Sequence, residues 1–101
     1  MATNLNIYGE GAGAGVTATA TVPAGHVYKV TKMTGDIAGA GYIYIRINAA
    51  NVYSMYFWAA GNQSEDNLTL IATAGQVIDC NEVGGGVNRA ALTGYDQLTA
   101  V

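Results

Sequence analysis

One proline, one cysteine and one histidine in 101 residues leave this sequence few of the side chains on which catalysis or metal binding is built. A lone Cys80 excludes an internal disulfide and cannot supply the paired thiolates of a structural zinc site. A lone His26 means that any metal cluster or proton relay would have to be completed by carboxylates. Charge is scarce as well: 11% of residues are charged, against about 25% in ordinary soluble domains. The four basic residues, Lys29, Lys32, Arg46 and Arg89, are scattered. A surface that tracks phosphates needs them grouped, so no nucleic-acid partner is expected. No run of about 20 apolar residues occurs, and the opening MATNLNIYG has neither a basic n-region nor an apolar h-region. The expectation is a chain made without a signal peptide, with no membrane span and no membrane partner.

Helix signals are missing too. No window carries apolar residues at helical spacing with caps at both ends, and glycine interrupts most long stretches. What is present is alternation of period two. Val16-Thr17-Ala18-Thr19-Ala20-Thr21-Val22 sets a small apolar face against a threonine face until Pro23-Ala24-Gly25 ends it. In residues 42–48, Ile43, Ile45 and Ile47 share one face, read as core, while Tyr42, Tyr44, Arg46 and Asn48 share the other. Ala49-Ala50-Asn51 is a connection short enough for a hairpin to a strand over 52–58. That strand has apolar groups on both faces, which predicts cover from the core on one side and from something else on the other. Further strands are expected at 4–8, 27–33, 68–73, 76–81, 88–92 and, more weakly marked, 97–101. Ala74-Gly75 and Gly84-Gly85-Gly86 supply turns. Eight or nine short strands without room for crossover helices predict one all-β domain over 1–101, an antiparallel β-sandwich of jelly-roll-like form, with a closed barrel as the alternative.

A domain of this length buries roughly two-thirds of its unfolded-chain surface, so association that covers more apolar area adds useful stability. With 50% hydrophobic and 11% charged residues, the outside is either covered by other protein or made polar by Thr, Asn and Gly.

Several stretches look like chemistry and are better read otherwise. Gly9-Glu10-Gly11-Ala12-Gly13-Ala14 matches the dinucleotide fingerprint G-x-G-x-x-G/A, but the segment after it reads as strand, and no helix N-terminus is there to meet a phosphate. It is a glycine-rich connection. His26, beside Gly25, reads as a loop histidine. Cys80 alternates with Ile78 and should point into the core as a small apolar group. Asp36, Glu65, Asp66, Asp79, Glu82 and Asp96 are spread over loops and strand ends and define no acid/base pair. Glu65-Asp66 after Gly61-Asn62-Gln63-Ser64 marks a solvated turn rather than a calcium site. Asn62-Gln63-Ser64 and Asn67-Leu68-Thr69 fit the glycosylation pattern, which matters only in a secretory pathway. No catalytic residue, metal ligand or cofactor is expected. Tyr42, Tyr44, Tyr53, Tyr56 and Trp58 fall on two successive strands, and wide amphipathic rings so placed suit a protein interface, or stacking on sugars.

At Val22-Pro23-Ala24-Gly25-His26-Val27-Tyr28-Lys29-Val30, Gly41 to Asn48, Ala74-Gly75-Gln76-Val77-Ile78 and Leu92-Thr93-Gly94-Tyr95, the chain resembles small β-sandwich virion proteins of tailed bacteriophages, the capsid decoration or cement proteins. Trimeric jelly rolls of the tumour-necrosis-factor and complement type share this phrasing. The resemblance implies a protomer that forms a homotrimer and sits on the outer capsid surface of a virion assembled in a host cytoplasm, binding the major capsid protein. It carries over no residue-level motif, and no N-terminal anchoring arm is evident. The functional expectation is a non-enzymatic structural virion protein with the five aromatic residues as interface candidates. A carbohydrate-binding or fibre-tip receptor-binding module is the alternative.

Overall fold

The computed structural model describes residues 2–12, 15–84 and 87–99. Among them are nine strands and no helix: β1 (Ala2–Ala12), β2 (Gly15–Thr21), β3 (His26–Ile37), β4 (Gly41–Ile47), β5 (Ala50–Phe57), β6 (Gly61–Glu65), β7 (Leu70–Thr73), β8 (Val77–Gly84) and β9 (Val87–Leu98). One sheet runs β1-β9-β3-β6, with β7 also on β3, and the other runs β2-β8-β4-β5. We call them the outer-strand sheet, after β1 and β9, and the hairpin sheet, after β4 and β5. Every pairing is antiparallel. The chain changes sheet at each step except the β4–β5 hairpin and the passage from β6 to β7. Such wrapping is a jelly roll, so the expected antiparallel β-sandwich is what the chain forms.

The core is the sum of the inward halves of the strands. Ile43 and Ile45 of β4, Met55 and Phe57 of β5, and Ile78 and Cys80 of β8 face Leu5, Ile7, Val30, Met33, Ile37 and Leu92 of the opposite sheet. Ile47, at the strand end, is half-buried against this cluster. The isoleucine alternation of β4 therefore points inward as the sequence indicates.

Bulges shift the pattern in three places. In β2 the register slips between Val16 and Ala18. Thr17 and Ala18 both turn inward and Val16 is left exposed, because one extra residue reverses the phase of everything before it. The strict apolar/threonine alternation read from the sequence fails here for that reason. The buried Thr17 hydroxyl donates to Asn88 Oδ1 at 2.8 Å. In β3 the slip lies at Thr31. There β6 and β7, which share one edge of β3, separate, and the N–H of buried Leu68 donates to the Thr31 carbonyl at 3.1 Å. Opposite the bulge, Gly94 has no alternative: a Cβ on it would lie 1.9 Å from the Lys29 carbonyl oxygen. In β5 the slip falls at Val52, between Ile45 and Arg46 of the partner.

Some boundaries differ from the sequence reading. The hairpin turn is Asn48-Ala49, both with positive φ (50° and 65°), the two-residue I′ geometry that matches strand twist. Ala50 and Asn51 already belong to β5, and Trp58 lies in the bend after it. Gly61–Glu65, not read as a strand from the sequence, is β6, a polar edge strand held by backbone pairing to β3 rather than by any side-chain pattern; of the expected turn pair, Glu65 ends this strand and only Asp66 lies beyond it. The segments 88–92 and 97–101 are not two strands but one, β9, as far as Leu98, and residues 100–101 lie outside the described ones. The Gly9–Ala14 stretch is largely β1, followed by β2 and not by a helix; its last two residues lie outside the described ones.

Candidate functional sites on the two outer sheet faces

With the register fixed, the outward side chains of each sheet can be assigned, and the two faces differ in chemistry. On the hairpin sheet, Tyr42 stands between Tyr56 and Val83, and Tyr44 between Ser54 and Asn81. The rings of Tyr42 and Tyr44 are parallel, 5.5 Å apart with 8° between planes. Tyr42 meets Tyr56 at 4.8 Å, and Tyr56 meets Trp58 at 6.2 Å. The result is one continuous aromatic stripe. Trp58 is 78% exposed and Tyr56 48%, and Val16 and Val83 are exposed on the same face. Four of the five aromatic interface candidates are thus brought together. Tyr53 is not among them: it pairs with Ile45, turns to the inner side and packs half-buried against the core, where burial pushes its phenol above the usual range. Among the described residues nothing covers the outward side of β5, where Val52 and Tyr56 stay exposed. Beside the stripe, Arg46 holds Asp79 through two hydrogen bonds, Nε to Oδ1 at 2.8 Å and Nη2 to Oδ2 at 2.9 Å, bridging β4 and β8. This hydrogen-bonded carboxylate raises the guanidinium pKa further.

The outer-strand sheet presents amides, hydroxyls and small groups. Tyr8, Ala91, Thr34 and Ser64 form one row across β1, β9, β3 and β6, and Glu10, Arg89, Asp36 and Asn62 form the next. All of these except Glu10 line a groove of about 380 Å³. Tyr8 is 54% exposed. Its hydroxyl donates to Glu10 Oε1 at 2.8 Å, which raises the phenol pKa, and the same oxygen lies 3.3 Å from Arg89 Nε. Nothing in the order of residues points to this site, because its members come from four strands and meet only through the register.

The remaining candidates disperse. His26 is the first residue of β3 rather than a loop residue, and its Nδ1 lies 2.7 Å from Asp96 Oδ1. Cys80 is fully buried, and burial with the nearby Asp79 charge pushes its thiol up to about 12. A thiol so protonated is a poor nucleophile. Glu65 and Asp66 diverge: Glu65 Oε1 accepts from the Asn67 N–H at 3.0 Å, and Asp66 lies 3.6 Å from Lys32. Among the described residues no three His, Cys, Asp or Glu groups gather as a metal site would require. Glu82 is a correction to the expectation of loop and strand-end acids. It alternates with Ile78 and Cys80 along β8, is fully buried, and neither carboxylate oxygen has a hydrogen-bond partner. Burial raises its pKa.

No protein-family model matches the chain, and no curated protein matches it in sequence. Among solved structures, a family two carbohydrate esterase from Clostridium thermocellum, in complex with cellohexaose, is similar with a TM-score of 0.50 and 10% identity over 98% of this chain. The likeness covers 33% of that protein, so this chain spans about a third of its length. At that identity the similarity shows the fold alone, an all-β sandwich.

Proposed function

We propose that this chain is a structural assembly protein that works by burying the aromatic stripe of its hairpin sheet against other protein, first a second copy of itself and then a shell subunit, as a decoration protein of a phage capsid does. The observation that carries the reading is the stripe itself: Tyr44, Tyr42, Tyr56 and Trp58 in mutual contact, flanked by exposed Val16 and Val83. Exposed, contiguous aromatics without interspersed charge are costly in water and are the residue types that anchor protein contacts. Covering them returns about 25 cal/mol for each Å² of apolar surface removed from water. No reaction is needed for such a protein to act, and a homotrimer mounted on the outer shell is the assembly proposed.

A carbohydrate module using these same rings is the competing reading. Ring geometry weighs against it, because Tyr42 and Tyr44 lie parallel and each turns one face to the other, which leaves less open ring face on this pair for a ligand. The test is native mass spectrometry together with co-sedimentation on expanded phage shells, comparing the wild type with a Tyr56→Ala, Trp58→Ala double variant. The wild type should be oligomeric and pellet with shells, and the variant should fall to monomer and stay in solution with an unchanged circular dichroism spectrum. A monomeric wild type that ignores the shells would end the proposal.

A further inference from the structure

We infer that the outer-strand sheet carries a second, separate site: a groove that binds a neutral saccharide, with the Tyr8 ring as the stacking platform and Asp36, Asn62, Ser64, Thr34 and Arg89 as its hydrogen-bonding wall. Three observations support this. First, the groove, at about 380 Å³, falls in the range of about 300–1,000 Å³ typical of small-ligand sites.

Second, its groups are placed for a polyhydroxylated ligand. The Tyr8 hydroxyl donates to Glu10, which also lies beside Arg89, and these contacts favour the ring orientation on which a sugar would stack. Among the described residues no hydrogen bond engages the side chains of Thr34, Asp36, Asn62 or Ser64, and together these offer both donors and acceptors along two adjacent rows. Ala91, between Tyr8 and Thr34 in its row, adds only a methyl group to the floor.

Third, the charges select the ligand class. Arg89 is offset by Glu10 and lies opposite Asp36, so the groove has no excess positive charge with which to favour phosphate, sulfate or nucleic acid. Nor is it apolar enough to hold a hydrophobic segment, since Tyr8, Ala90 and Ala91 are its only apolar lining side chains and, apart from Gly35, the rest are polar or charged. A saccharide matches both faces of this chemistry: apolar C–H faces for the ring and hydroxyls for the wall. The groove lies on the opposite side of the sandwich from the aromatic stripe, so both could be occupied at once, and the inference does not depend on the oligomeric reading.

The experiment is a glycan array probed with the labelled wild type, with Tyr8→Ala and Asn62→Ala, and with Trp58→Ala from the other face, followed by titration of the strongest neutral hit. Tyr8 and Asn62 are exposed, so their variants should keep the wild-type unfolding midpoint. The expected result is saturable binding to at least one neutral glycan, weakened about tenfold or more by each of the first two substitutions and unchanged by Trp58→Ala. The inference is overturned by an array on which the wild type binds no neutral glycan above the level of Tyr8→Ala. It is equally overturned by binding that Trp58→Ala removes and Tyr8→Ala does not, or by hits confined to sulfated or phosphorylated glycans.

Discussion

Replacing Glu82 with methionine should make the protein more stable, and by an amount that depends on pH. Glu82 is fully buried in β8 with both carboxylate oxygens unpartnered. A buried polar group left without a hydrogen bond costs about 1–3 kcal/mol, and a charged one more. Methionine keeps an unbranched chain of similar length, so Glu82→Met removes that cost with little change in packing. The pH dependence follows from burial, which raises the folded-state pKa of Glu82 above its ordinary 4.5. Between those two values the folded protein holds a proton that the unfolded chain has released, so this group makes stability fall as pH rises. Below the ordinary value both states are protonated, and only the neutral acid is left unsatisfied. The advantage of Glu82→Met should therefore be smallest near pH 4, about 1 kcal/mol, and should climb to a plateau of about 2–3 kcal/mol above the folded-state pKa. In a domain of this size each kcal/mol moves the melting temperature by about 4–8 °C. Urea unfolding of both proteins at several values from pH 4 to pH 8, with the difference plotted against pH, isolates this residue from the other carboxylates. A variant less stable than wild type at pH 7, or an advantage flat across the range, would refute the reasoning and mean that the carboxylate is satisfied in the folded protein.

Four further outcomes are expected. Ala49→Gly relieves a left-handed residue that costs about 1–2 kcal/mol and forfeits some chain entropy, so the denaturant midpoint should rise by the equivalent of about 0.5–1 kcal/mol. Gly94→Ala drives a Cβ to 1.9 Å from the Lys29 carbonyl oxygen, and thermal unfolding should show a loss of about 2–4 kcal/mol or failure to fold. A double-mutant cycle of Arg46→Met and Asp79→Asn should give a coupling of about 1–3 kcal/mol, since the bidentate pair is largely shielded from water. Cys80, buried with its thiol pushed up to about 12, should resist a disulfide exchange reagent at pH 8 until denaturant is added, and rapid labelling of the native protein would contradict its placement.

How far the sequence alone could reach depended on what fixes each position. Ile43, Ile45 and Cys80 were legible because strict alternation between apolar and other residues marks the inward face of a strand. The same rule places Glu82 inward beside Ile78 and Cys80, but an acid in that slot contradicts the expectation that charge faces water, and composition outweighed phase. Thr17 was misplaced because a bulge consumes one residue without any signal in the residue types around it. The edge strand β6 was missed because Gly61-Asn62-Gln63-Ser64 carries no apolar face; its extended state is imposed by β3. The aromatic stripe was readable because Tyr42 and Tyr44, like Tyr56 and Trp58, lie two apart in the chain, whereas Tyr53 sits one phase out and turns inward. The groove around Tyr8 was out of reach, since Tyr8, Thr34, Ser64 and Arg89 come together only after three separate strand pairings are known.

The position of β9 governs the order of events during folding. It follows the other eight described strands in the chain, yet it fills the slot between β1 and β3, with Ala2 paired to Gln97 and His26 to Leu98. During synthesis β1 has no in-sheet partner until β9 has emerged, and both of its edges stay open in the meantime. Loop closure of this length is slow, and the exposed polar side chains of Asn4, Asn6 and Glu10 on β1 make the waiting strand a poorer template for pairing with another chain.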